Sequence, residues 1–319
     1  MSAVADALAA AFGAGRVQTG VRLASLTTFR VGGPADMLLE TRTSDELVAA
    51  LRIAARTGTR VTILGGGSNV LVADSGIRGL VIRPRGGVVS PVAALTVAAT
   101  TRVRADAAVT INGLVRWTIN HGFGALESWA GTPGTVGGAV FGNAHFGGRN
   151  IGDLVERVQL AAIDGTVQDV AADVMAFGYD RSRLQTSGEI LLTASFRVSA
   201  GDPPALRAIA RQSLAYRKRT QPLDTPSAGC IFQNPEPARD RVPDGIPWSA
   251  GALVDRAGLK GAARGGARVS PTHGNFIVNQ GSATAAEIRQ LIEECRAAVR
   301  DRFGVDLRDE IVYLGDFDR

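Results

Sequence analysis

Cys230 sits in the stretch SAGCIFQNP (Ser227–Pro235), behind a glycine and ahead of an Asn-Pro turn signal. A thiol in such a turn can pack, ligate a metal, attack as a nucleophile or give up a proton. Zinc needs more ligands than two distant cysteines and three histidines readily supply, so no metal is expected. A nucleophile needs a base oriented by a third group, and no such spacing is visible. A thiol ordinarily titrates near about 8.5, so it keeps its proton at neutral pH and can protonate an electron-rich carbon. Cys295 falls on the buried-type face of the last helical stretch and reads as core. His121 follows an asparagine at an expected helix end and reads as structural. His145 and His273 each could touch a ligand or only satisfy local hydrogen bonds.

Two glycine-rich stretches are the other chemical candidates. LGGGSNVLV (Leu64–Val72) follows a β run, and glycines there let backbone N–H groups close on a phosphate. A nicotinamide Rossmann turn would open directly into a helix, whereas VLVADSGIRGLVI behind it is strand-like. A tight turn is an equally good reading of that segment alone. AGTPGTVGGAVFGNA (Ala130–Ala144) is dense in glycine and almost uncharged. A surface loop would be polar, and a core helix would not tolerate so much glycine. Backbone pressed against a large flat ligand explains both properties; a glycine-dense packing junction is the alternative. Gly65–Gly67 and Gly131–Gly138 could flank one extended dinucleotide.

The elements around these segments mix helices and strands without strict alternation, which predicts an α+β fold with mixed sheets. Helices are expected in the first dozen residues, in SDELVAALRIAARTG with a serine cap, in NGLVRWTINHG, in PPALRAIARQSLAYRKRTQ, and in SATAAEIRQLIEECRAAVRDRFG with Ser282 as cap. Short strands are expected from VLVADSGIRGLVIRP through ALTVAATTRVRADAAVTI, then a hairpin turning at Asp164-Gly165, then EILLTASFRV and GNFIVNQG. A chain of 319 residues exceeds one typical core, so two or three domains are expected. Hydrophobic residues at 45% and charged residues at 20% read as globular, and no apolar run is long enough to span a bilayer. The net charge of +5 is carried almost wholly by arginine, with Lys218 and Lys260 the two lysines. Arginine's fork suits phosphates and carboxylates, or simply a solvated surface. With no basic block and 5% aromatics, nucleic-acid binding is not expected. Two cysteines cannot staple a chain this long, which points to the cytoplasm.

Taken together, TTFRVGGPADML, LGGGSNVLV, GTPGTVGGAVFGNA, RTQPLDTPSAGCIFQNP, AGLKGAARGGARVSPTHGNFIVN and LRDEIVYLG resemble the UDP-N-acetylenolpyruvoylglucosamine reductase family, in its shorter subclass. They occur in the family's order over nearly the whole chain. The resemblance implies a two-part FAD-binding region of the PCMH/VAO flavin type with mixed sheets, followed by a C-terminal α+β substrate domain. The corresponding boundaries are 1–86 for the first FAD-binding subdomain, joined by 305–319, then 87–200 for the second and 201–304 for the substrate domain. It implies FAD and NADPH as cofactors, and UDP-N-acetylglucosamine enolpyruvate as a small-molecule substrate reduced to UDP-N-acetylmuramate for peptidoglycan. Hydride would come from flavin N5. No membrane insertion and a monomeric state are expected.

Carried over residue by residue, the resemblance makes Cys230 the proton donor, where the family usually has serine. It makes Glu310 the catalytic acid that stabilises an enolate together with an arginine. Asp180 stands at the usual position of that arginine in YDRSR, and Arg181 is the nearest replacement. FAD would be held by Leu64, Gly65, Gly66, Gly67, Ser68, Asn69 and Val70, by Gly131, Thr132, Pro133, Gly134, Thr135, Gly137 and Gly138, and by Asn143 and Ile190. Arg219, Gln221 and Asn234 would meet the substrate. The alternatives are a flavin oxidase or dehydrogenase of the same wider fold, or a non-catalytic binder of flavin or UDP-sugar with a regulatory role.

Overall fold

The computed structural model describes residues 3–92 and 101–317. The chain divides into two compact units. One comprises Met1–Thr19, Met37–Gly66 and Gly79–Tyr216, and the other Gly20–Asp36, Gly67–Arg78 and Arg217–Arg319.

The first unit is organised by the strand Ile190–Ala200, whose apolar residues alternate into a core containing Phe196 and Val198. It pairs antiparallel with Val155–Ala161 on one side and Thr101–Asp106 on the other. Val167–Ala171 and Val89–Val92 complete the sheet at its two edges. The hairpin expected at Asp164-Gly165 forms: Val167 pairs with Ala161, Gly165 takes φ +81°, and the Asp164 carboxylate accepts from Thr166 N–H. The leading part of the strand stretch ALTVAATTRVRADAAVTI, residues 94–100, lies outside the described residues; its continuation forms Thr101–Asp106. A smaller sheet has the order Val17–Arg22, Pro34–Thr41, Ile77–Pro84, Val61–Ile63, with the last pair parallel.

The helix Ser44–Arg56 packs Leu47, Leu51 and Ala54 into the core of that smaller sheet. Its cap is Thr43, not Ser44: the Thr43 hydroxyl accepts from Glu46 N–H. Likewise the last helix, Ala285–Phe303, is capped by Thr284 rather than Ser282, in a reciprocal box with Glu287. Glu46 has a second duty. Arg16 donates to both its carboxylate oxygens at 2.7 Å and to Glu40 O at 2.6 Å, and these hydrogen bonds hold the Glu46 carboxyl down to about 2 from an ordinary 4.5. A depressed carboxyl stabilises the fold above its unfolded value and loses that contribution as pH falls through the folded one. The pair is partly solvated, so Arg16→Ala is expected to cost about 1 kcal/mol at pH 7. That difference from the parent should fade between pH 4.5 and about 2, as read by urea unfolding at stepped pH.

The second unit packs Ala250–Arg256 and Ala285–Phe303 with the strands Ala263–Arg264, Ala267–Val269 and Ile277–Asn279. Its core includes Leu253, Val254, Ile277, Leu291 and Cys295. Cys295 is 1% exposed, and burial pushes its thiol up to about 12, which fits the core role expected of it. Val312–Leu314 runs parallel to Val70–Val72, with Val312 opposite Val70.

Candidate functional site

In the first unit the two glycine-rich stretches meet. A Cβ on Gly66 would lie 2.6 Å from Gly134 Cα, and one on Gly65 would lie 2.9 Å from Thr135 Oγ1. A side chain on Gly66 would drive two backbones apart, so that glycine is required by close approach, while one on Gly65 would displace the Thr135 hydroxyl. The second stretch also departs from expectation, because it contains the helix Val136–Phe141 despite its glycines. Thr135 caps that helix by accepting from Gly138 N–H, and Gly137 faces Ala107 O so closely that a Cβ would sit 3.2 Å away. Packing thus explains part of the glycine density.

It does not explain the amides. Among the described residues, no hydrogen bond draws on the backbone N–H groups of Gly65, Gly66, Gly67 or Ser68. Consecutive unspent amides in a glycine loop are the donor set that a phosphate needs. This is the observation on which the stretch fits a dinucleotide.

Asn143 closes the far end of the same segment. It is 1% exposed with φ +45°, donates to Gly178 O at 2.7 Å and accepts from Gly152 N–H at 2.9 Å. The residue is therefore a backbone staple. Ile190 opens the central strand opposite Ala161. Arg181 is exposed, and its guanidinium folds back over Gly178, with Nη2 3.3 Å from where a Cβ on that glycine would be. Asp180, its neighbour, is the buried one, at 8% exposure.

In the second unit the structure brings the Cys230 and Glu310 segments together. Glu310 N–H donates to Ile231 O at 2.8 Å, and Gln233 N–H donates to Arg308 O at 2.8 Å, around an antiparallel bridge between Phe232 and Asp309. Glu310 O accepts from Asn69 Nδ2 at 3.0 Å, which ties the GGGSN loop's asparagine to the same segment. Cys230 is half-buried and follows Gly229 at φ +83°.

Asn275 holds this arrangement from behind. Its backbone carbonyl accepts from Ile231 N–H at 2.9 Å, its Oδ1 accepts from Phe232 N–H at 2.9 Å, and its Nδ2 donates to Phe232 O at 2.7 Å. The sequence reading does not single it out, and leaves His273 open between ligand contact and local hydrogen bonding. His273 instead serves the local turn: Nδ1 accepts from Asn275 N–H at 3.2 Å, and burial lowers its basicity, aided by Lys260. Arg217 was missed as well. It is 7% exposed; burial pulls its guanidinium below the ordinary value, while its electrostatic interaction with Cys230 acts in the opposite direction. The available signal was its phase, three residues beyond Leu214 on the stripe that includes Leu206 and Ala210.

Of the expected substrate contacts, Arg219 is exposed just beyond Arg217, and Gln221 N–H donates to Arg217 O at 2.9 Å. Asn234 Oδ1 accepts from Ala250 N–H at 3.0 Å, at the start of the helix Ala250–Arg256.

Comparison with known proteins shows the family. Residues 35–171 match the FAD binding domain family, so the chain is a flavoprotein, and residues 221–314 match the C-terminal domain of UDP-N-acetylenolpyruvoylglucosamine reductase. The reductase of Moorella thermoacetica is 37% identical over 95% of this chain and 97% of its own length. That of Geobacter metallireducens is 37% identical over 92% of each. The crystal structure of the Thermus caldophilus reductase superposes with a TM-score of 0.75 at 31% identity, covering 94% of this chain and 99% of that one. The chain belongs to the UDP-N-acetylenolpyruvoylglucosamine reductase family.

Proposed function

We propose that this chain performs the reaction its family is named for, reducing UDP-N-acetylglucosamine enolpyruvate to UDP-N-acetylmuramate with NADPH, in the supply of peptidoglycan precursors. FAD, when bound, supplies two-electron hydride chemistry between the nicotinamide and the enolpyruvyl double bond. The residues that would hold it are Leu64–Val70, where the unspent amides of Gly65–Ser68 suit a pyrophosphate, and Gly131–Gly138, whose backbone approaches Gly66 closely, with Asn143 and Ile190 beyond them. Cys230 gives its proton to the carbon left electron-rich by reduction. Glu310, anchored through its own N–H and C=O, faces the developing enolate charge together with a basic partner. Arg219, Gln221 and Asn234 receive the nucleotide.

The single observation that supports the reading is the pairing of the Cys230 loop with the Glu310 segment, which sets a thiol-bearing and a carboxyl-bearing residue on adjoining backbone positions. In this reading the chain has an FAD-binding subdomain at 1–86 with 305–319, a second at 87–200 and a substrate domain at 201–304. It works as a monomer in a reducing cytoplasm, consistent with a chain that has two cysteines. Among the described residues, no helix is long and apolar enough to cross a membrane.

The test is anaerobic. Flavin reduced by NADPH should be reoxidised rapidly by the enolpyruvyl sugar nucleotide, and a flavin that stays reduced in its presence would overturn the assignment. Glu310→Gln is expected to slow that reoxidation by about 10²-fold while leaving reduction by NADPH unchanged. Equal losses in both half-reactions would remove Glu310 from the chemistry.

A further inference from the structure

The segment that pairs with the Cys230 loop carries two acids in a row, Asp309 and Glu310. Side chains on an extended segment alternate between its faces, so a slip of one position would exchange their places. Glu310 N–H to Ile231 O and Gln233 N–H to Arg308 O hold Phe232 opposite Asp309. Such main-chain bonds are the same for any residue, and by themselves they do not tell Asp309 from Glu310.

The side chains do. Arg296, on the helix Ala285–Phe303, donates from Nη2 to Asp309 Oδ1 at 2.6 Å. Its guanidinium also stands 5.8 Å from the centre of the Phe232 ring, so one cation grips both members of the bridge. Earlier on the same helix, Arg289 places Nη1 3.8 Å from Asp309 Oδ2 and lies over the Tyr313 ring at 4.3 Å. One residue before Asp309, Arg308 donates to Glu236 Oε1 at 3.2 Å, just past the Asn-Pro turn that follows Cys230. Arg296 and Asp309 keep only 23% and 21% of their side chains exposed. A pair this enclosed is a weak source of stability, because desolvation offsets its attraction, and its best-attested use is to fix register.

We propose that Arg296 is a positioning residue for the reduction. By claiming Asp309 for the helix, it sets the register in which Glu310, and not its neighbour, is presented beside the Cys230 loop. It acts through Asp309 and Phe232, not on the substrate. This inference rests on the reductase reading for the role of Glu310.

The test uses the holoenzyme. Arg296→Gln should slow flavin reoxidation by the enolpyruvyl sugar nucleotide about 10-fold, with FAD affinity and reduction by NADPH unchanged. Arg296→Lys, which restores a charge to the pair, should recover most of that loss. Because Arg296 works through the placement of Glu310, the two effects should not multiply: Arg296→Gln in a Glu310→Gln background should cost less than about 2-fold more. A further loss as large as in the parent, or an equal loss in the NADPH arm, overturns the proposal, since a merely structural arginine would act alike in both backgrounds. A readout independent of substrate is amide hydrogen exchange. In Arg296→Gln, exchange at Gln233 and Glu310 should quicken at least about 10-fold, while the strands Ala267–Val269 and Ile277–Asn279 keep their protection. Unchanged exchange at both amides defeats the proposal. If Arg296→Gln does not fold, Asp309→Asn, which removes the charge and keeps the shape, carries the same measurements. Should the parent enzyme itself fail to be reoxidised by the substrate, the reductase reading falls, while the exchange measurement still judges the register clamp.

Discussion

Cys230→Ala is expected to yield a yellow protein that NADPH still bleaches and that then recovers its colour with the enolpyruvyl substrate about 10²- to 10⁴-fold more slowly than the parent, the range spanned by loss of a general acid. The expectation follows from where the thiol sits. Its neighbours Ile231 and Phe232 are fixed through the main chain by Asn275 and Glu310, so truncating the side chain at 230 leaves the loop in place. What disappears is the proton. Cys230→Ser should keep substantial activity, with one difference. A thiol ionises within the accessible pH range and a hydroxyl does not, so an alkaline fall in the reoxidation rate should be present in the parent and absent in the serine variant. Normal turnover by the alanine variant would remove Cys230 from the mechanism.

Gly66→Val should have an effect of comparable size on a different step. The β-carbon would sit 2.6 Å from Gly134 Cα, and because the obstacle is backbone, no rotamer relieves it. The two glycine segments must separate, which disperses the amides of Gly65–Ser68 that fit a phosphate. The protein should purify colourless and bind FAD at least about 10²-fold more weakly by flavin fluorescence titration, with far-ultraviolet circular dichroism close to the parent's. A variant that retains stoichiometric FAD would show that this crossing does not shape the flavin site.

The sequence pattern revealed elements whose rules are local. The Asp164-Gly165 hairpin needs an Asx-type turn and a glycine in the left-handed region, and both are written in adjacent residues. The caps lie one or two residues from the expected serines for a reason also local: Thr43 accepts from Glu46 N–H, Thr284 forms a reciprocal box with Glu287, and a serine stands close to each. The glycine-rich helix was hidden because propensity argues against it, and the tight approach of Ala107 to Gly137 comes only from the fold. Site residues whose role lies in tertiary contact were the hardest to see. Asn275 acts on residues more than forty positions away, and Arg217 reads as one of many surface arginines until its burial is known. Asp180 was visible only as a departure from a pattern; its partner His145, 35 residues earlier, is supplied by the fold.

The peptide groups that follow position 230 are clamped by an asparagine more than forty positions further on and by the Glu310 segment, and none of those bonds involves the sulfur. The address of the reacting atom is therefore written in main chain. Its element, sulfur or oxygen, can be exchanged without redrawing the scaffold, and a lineage can retune the acidity of its donor by a single codon change while inheriting the geometry intact.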